Sequence, residues 1–132
     1  MEIKVSVENG RVPVTVLRVD GNVDSSSYQA FQSTAEEQIK NGAKHILVDL
    51  SRAPFMSSAG LRALHAVFLE LRAVNNDVSE EQLIKGIGDG TYKSPFLKLC
   101  GLSNETRTAF EMGGFDMYIE AHPDLKTAIA SF

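Results

Sequence analysis

Ile3, Val5 and Val7 alternate with Lys4 and Ser6. A period of two puts one row of side chains on a core and the other in water, so residues 2–7 read as a half-buried strand. Asn9-Gly10 carries the chemistry of a tight hairpin. A second strand runs from about Val12 to Val19, with Pro13 acceptable only near its start or on an edge. From Asp24 to Lys40 the period changes: Tyr28, Phe31, Ala35 and Ile39 recur at helical spacing, behind several N-cap candidates in Asp24-Ser25-Ser26-Ser27. His45 to Leu50 is nearly unbroken in its apolarity, as expected of a strand covered on both faces. A long helix follows from Ser58 to about Val74, with Leu61, Leu64, Phe68 and Leu71 on the core side and Arg62 and Arg72 on the wet side.

Residues 75–95 are of another kind. Ser79-Glu80-Glu81-Gln82 has the spacing of a capping box, and Gly86 is placed to close the short helix it opens. Beyond it the pattern predicts a buried strand over Phe96–Leu102 and a helix capped by Ser103 that stops at Gly113-Gly114. A short strand over Phe115–Ile119 and a last helix after Pro123 complete the chain. Strands alternating with crossover helices make an α/β fold. The expectation is a mostly parallel central sheet with an antiparallel N-terminal strand and about four helices, in one domain over 1–132 with a surface excursion at 75–95.

The net charge is −4 and the pI about 5.3, so no basic field exists to hold a phosphate backbone or an anionic membrane surface. Nucleic-acid and membrane partners are therefore not expected. Cys100, the single cysteine, lies in the apolar run Leu97–Cys100 and reads as a buried, inert thiol. No apolar stretch approaches the roughly 20 residues that span a bilayer. The strand-like N-terminus is unlike a signal peptide. A cytoplasmic setting is expected.

The stretch from Asp49-Leu50-Ser51 through Phe55-Met56-Ser57-Ser58-Ala59-Gly60-Leu61 has the densest signal: a buried strand ends, and a helix opens on two serines. One reading is purely structural, with a serine as N-cap and Gly60 allowing close packing. The other uses the same geometry chemically. Free amides and a partial positive charge at a helix start favour an anion, so a phosphoserine there adds about −1.5 to −2 charges with little strain.

These residues resemble a known family. Val19-Asp20-Gly21-Asn22-Val23-Asp24, Asp49-Leu50-Ser51, Phe55-Met56, Ser57-Ser58-Ala59-Gly60-Leu61, Leu99-Cys100-Gly101-Leu102-Ser103 and Gly113-Gly114-Phe115 are similar, in order and spacing, to the landmarks of the STAS domain. The form they resemble is that of bacterial anti-sigma-factor antagonists. The resemblance covers 1–74 and 96–132. It implies a phosphorylation-switched binding module with no catalytic activity and no cofactor or metal. The unphosphorylated form would bind an anti-sigma factor that is also an ATP-dependent serine kinase, and a PP2C-type phosphatase would reset the cycle. The phosphorylated serine, two residues before the glycine, is then Ser58, with Ser57 the second choice. Asp24 and Ser57, Ser58, Ala59, Gly60 and Leu61 would lie near the contact surface. Ser57 is a departure, because many phosphorylated members have Asp there.

Other chemistries fit less well. A serine hydrolase elbow would require Gly at 56, where Met56 stands. Gly86-Ile87-Gly88-Asp89-Gly90 lacks the Lys and Ser/Thr of a phosphate loop and reads as a turn. His45, His65 and His122 are too scattered for a zinc site. The alternative within the family is a scaffold or small-ligand sensor that works without phosphorylation, as in stressosome-like assemblies.

Overall fold

A computed structural model describes residues 1–132. The elements are β1 (Glu2–Asn9), β2 (Pro13–Asp20), α1 (Tyr28–Lys40), β3 (Ile46–Arg52), α2 (Ser58–Asn75), α3 (Glu80–Asp89), β4 (Leu97–Cys100), α4 (Asn104–Met112), a 3-10 turn (Phe115–Met117), β5 (Glu120–His122) and α5 (Leu125–Ser131). The strands form one sheet in the order β1-β2-β3-β4-β5. β1 pairs antiparallel with β2, and every later pairing is parallel. The expected mixed sheet is present. Five helices accompany it; the one beyond the main alternation is the capped helix of the excursion.

Because each new strand adds on the same side, the right-handed crossovers stack α1, α2 and α4 on one face. There Phe31, Ala35 and Ile39 of α1, Leu61, Leu64, Val67, Phe68 and Leu71 of α2 and Phe110 of α4 bury Leu17, Val19, Ile46, Val48, Leu50, Leu97 and Leu99. The other face has only α5, which covers Val14, Val16, Leu47 and Cys100 through Ala128 and its neighbours. Lys98 fastens that helix: its buried ammonium donates to the Ser131 carbonyl at 2.8 Å and lies 5.0 Å from the Phe132 ring centroid. Pro13 takes the first position of β2, where its missing N–H costs least.

Three expectations need correction. Phe115–Ile119 is not a strand. Met117 N bonds back to Gly114 O and Ile119 N to Phe115 O, so these residues satisfy their amides locally, and pairing with β4 begins only at Glu120. Apolar spacing over five residues does not distinguish the two. Gly86 does not close α3, and 86–89 are not a turn: the helix runs on through Asp89, and Gly90 closes it in the left-handed conformation at φ 79°. Gly86 lies inside the helix because a Cβ there would sit 2.8 Å from the Tyr92 Cβ. Arg72 is not on a wet face either. It is 7% exposed, because residues 77–80 fold back over it and supply Asp77, Glu80 and the Val78 carbonyl as acceptors.

Candidate functional site

The segment after β3 is gripped from two sides. Its extended backbone bonds alternately left and right, as a strand does. On one side Phe55 O accepts from Val23 N at 3.0 Å and Ser57 N donates to Val23 O at 2.8 Å, forming the parallel Val23–Met56 bridge. On the other side Met56 N donates to Thr106 Oγ1 at 3.1 Å and Ser103 Oγ donates to Pro54 O at 2.8 Å. Thr106, only 1% exposed, then donates its own hydroxyl to Ser103 Oγ at 3.1 Å. The chain Met56 N–H, Thr106 O–H, Ser103 O–H, Pro54 C=O thus closes with every buried group paired.

Held this way, the backbone enters α2 at a fixed angle. Ser57 is the N-cap, with ψ 175°, and its Oγ accepts from Gly60 N at 3.4 Å, a long and therefore weak bond. Ser58 is the first helical residue. It is exposed, and the capping bond at this helix start belongs to its neighbour. The two adjacent hydroxyls are thereby distinguished: one is engaged with the backbone, the other faces solvent beside the helix amides. No acidic residue occupies the first turn of α2. Arg62, one turn further on, is exposed.

Gly60 explains how close the layers come. A Cβ there would lie 2.6 Å from Met56 Cγ and 3.2 Å from the Val23 carbonyl. The same approach brings Asp24 to this pole of the molecule, since it follows Val23 directly. Its Oδ1 accepts from the Ser26 hydroxyl at 2.6 Å and the Ser26 amide at 2.9 Å, and these bonds hold the carboxyl below the usual carboxylate range. Asp24 is therefore a fixed anion in a turn that braces itself. Ser27, at the N-cap position of α1, makes no capping bond; its hydroxyl donates back to Asn22 O.

Asp24, Ser57 and Ser58 are thus assembled at one pole. Ala59, Gly60 and Leu61 are buried and shape the helix start from within, while Phe55, at 37% exposure, presents its ring to solvent beside it. Sequence reasoning read Phe55 and Ser103 as family landmarks, without a place in the site, and did not single out Thr106. Ser103 was legible as an N-cap, which it is, but its grip on Pro54 spans 49 residues and leaves no local pattern.

Cys100 is buried, and burial, with Asp49 nearby, pushes its thiol up to about 12, so it stays protonated and inert. No group of three or more His, Cys, Asp or Glu side chains is placed to hold a metal ion. No helix is long and apolar enough to cross a membrane. A cleft of about 240 Å³ lies at the strand ends between Lys4, Arg18 and Arg52 and the carboxylates of Glu2, Asp20 and Asp49; its charges balance and favour neither sign of ligand.

The model of the STAS domain family matches residues 4–79, more than half of the chain. The chain belongs to the STAS domain family. The matched span runs from β1 through the Ser58 helix and stops before α3. A protein of Bordetella bronchiseptica, BtrV, whose name describes an anti-sigma factor antagonist, is 26% identical over 114 residues, covering 86% of this chain and 82% of its own. Among solved structures, an anti-sigma factor antagonist from Mycobacterium paratuberculosis superposes with a TM-score of 0.69 at 20% identity, over 98% of this chain and 93% of that one. The Bacillus cell fate determinant SpoIIAA, solved in its phosphorylated form, does so with a TM-score of 0.62 at 19% identity, over 97% and 96%. At such identities these two structures establish a shared STAS fold.

Proposed function

We propose that this STAS protein is an anti-sigma factor antagonist whose docking surface is set by phosphorylation of Ser58. Unphosphorylated, it sequesters an anti-sigma factor that is also a serine kinase; the kinase phosphorylates Ser58 and the complex separates; a PP2C-type phosphatase restores the binding form. The observation that carries this reading is the division of labour at the start of α2: Ser57 holds the cap and Ser58 stands exposed with its hydroxyl unclaimed. A phosphate on Ser58 adds about two negative charges where backbone amides and the helix dipole tolerate them. The fold is kept, while a surface bearing exposed Phe55 and Arg62 beside Asp24 becomes strongly anionic. A partner matched to the neutral hydroxyl then meets like charge or an unpaired, desolvated phosphate, either of which costs affinity. The name of BtrV supports the antagonist role. SpoIIAA, solved both unphosphorylated and phosphorylated, is a protein of this fold that carries such a modification.

The test is mass spectrometry and pull-down together. Incubated with ATP and anti-sigma serine kinases from its own genome, the wild type gains one phosphate, and Ser58→Ala gains none. Ser58→Ala stays bound to that kinase in the presence of ATP, while Ser58→Asp and Ser58→Glu are recovered poorly. Equal recovery of all variants would instead favour a scaffold that works without phosphorylation.

A further inference from the structure

β1 is an edge strand whose only guard is the charge of Glu2, Lys4 and Glu8. Exposed edges are usually protected by charged side chains, proline, bulges, short length or inward charge. β1 has eight residues, no proline, and a regular register with β2 from Glu2↔Asp20 to Asn9↔Pro13. On the face that carries α1, its side chains are Ile3, Val5 and Val7. Val5 is 41% and Val7 60% exposed, an apolar pair left in water at the sheet's open margin. On the opposite face the strand carries Lys4, Ser6 and Glu8. Lys4 lies across from Arg18, a like charge. Ser6 Oγ is the one buried side-chain polar atom without a hydrogen-bond partner.

We propose that β1 pairs with the β1 of a second copy, antiparallel about a two-fold axis through Ser6, continuing the sheet across two protomers. The register follows from the sequence. Centred on residue 6, Val5 faces Val7 of the second copy, and the two-fold repeats this contact, so four exposed valines close over one another. Lys4 faces Glu8 of the second copy, also twice, so that Glu8, which lies 3.6 Å from Arg18 of its own chain, is shared between that guanidinium and the incoming ammonium. The two Ser6 hydroxyls meet on the axis, where rotation about one side-chain bond lets each serve as the other's partner. A two-fold interface must be self-complementary, and of the charges on this edge Lys4 and Glu8 are the two equidistant from its centre. Cross-strand pairs of this kind are what stabilise an antiparallel ladder. The pairing uses the lateral margin of the sheet, two strands from β3, and leaves the start of α2 free. It is independent of the phosphorylation reading.

Light scattering and sedimentation of the full chain test the association, and cysteine cross-linking tests the register. The apparent mass rises with concentration from 14.4 kDa towards twice that value. Lys4→Glu weakens the dimer about tenfold, and Lys4→Glu with Glu8→Lys restores it to within about threefold, because the swap re-forms both pairs. Ser6→Cys cross-links on mild oxidation. Asn9→Cys, equally at the edge, does not, since its sulfur would lie roughly 20 Å from its counterpart in this register. The native Cys100 is buried and contributes no background. A 14.4 kDa species at every concentration up to millimolar, as when the edge is reserved for another protein, overturns the proposal. So does equal cross-linking at 6 and 9, or a charge swap that fails to rescue.

Discussion

At the scale of single residues, the start of α2 separates side chains that look alike in sequence. Ser57 and Ser58 are neighbours with the same hydroxyl, yet one accepts from Gly60 N and the other does not. Their alanine variants should therefore differ in thermal melts. Ser57→Ala is expected to cost up to about 1 kcal/mol, as for a lost N-cap with a long bond, and Ser58→Ala to stay within about 0.5 kcal/mol of wild type. Equal losses would mean that the two serines share the cap. Gly60 is constrained by space. A methyl group there collides with Met56 and, at 3.2 Å, with the Val23 carbonyl, which is backbone and cannot swing away. The requirement for glycine was readable as close packing; the Val23 carbonyl it packs against, on a segment more than thirty residues earlier, was not.

At the scale of elements, one cation ties α2 to the segment that leads into α3, while Leu83 of α3 is buried in the core. Arg72 Nε bonds Asp77 at 3.0 Å and Nη1 bonds Glu80 at 2.7 Å, while Asp77 also accepts from the Tyr92 hydroxyl at 2.6 Å. Tyr92 in turn packs edge-on against Phe68. Removing the cation leaves Asp77, whose side chain is 8% exposed, buried without its counter-charge. Breaking a buried pair from one side typically costs about 3–5 kcal/mol. Arg72→Met should therefore lose roughly 2–4 kcal/mol in urea unfolding, the remaining bond from the Tyr92 hydroxyl softening the loss. Glu80→Gln should change stability by less than about 0.5 kcal/mol, because Glu80 is 74% exposed and water replaces the ion pair. The capping box that opens α3 was legible and is present. The burial of Arg72 was not, because a helical wheel treats a charged residue as solvent-facing until a distant acceptor covers it.

For the whole molecule, the junction of α1 and α2 carries a titration. Burial, reinforced by the neighbouring carboxyl of Glu36, raises Glu70 from an ordinary 4.5 to about 7. The folded protein therefore holds this proton more tightly than the unfolded chain. Its contribution is favourable below about pH 4.5 and is lost as pH rises towards 7. Glu70→Gln removes the charge that must otherwise form between the helices. It should raise Tm by roughly 2–4 °C at pH 8 and leave it unchanged at pH 4.5, where both forms are neutral; a uniform shift would point to packing instead. The period-two and period-3.6 patterns already contained the sheet, its antiparallel first strand, the long second helix and the serine pair, because alternation and capping act between residues a few positions apart. Tertiary structure alone decided that Ser58 and not Ser57 keeps its hydroxyl free, that Thr106 and Ser103 hold the loop before them, and that Phe115–Met117 turns where a strand was expected. For Thr106 and Ser103 the partner lies some fifty residues along the chain; for the serine pair and the turn the bonds are local, but adjacent residues or an equally apolar alternative compete for them, and the fold selects between them.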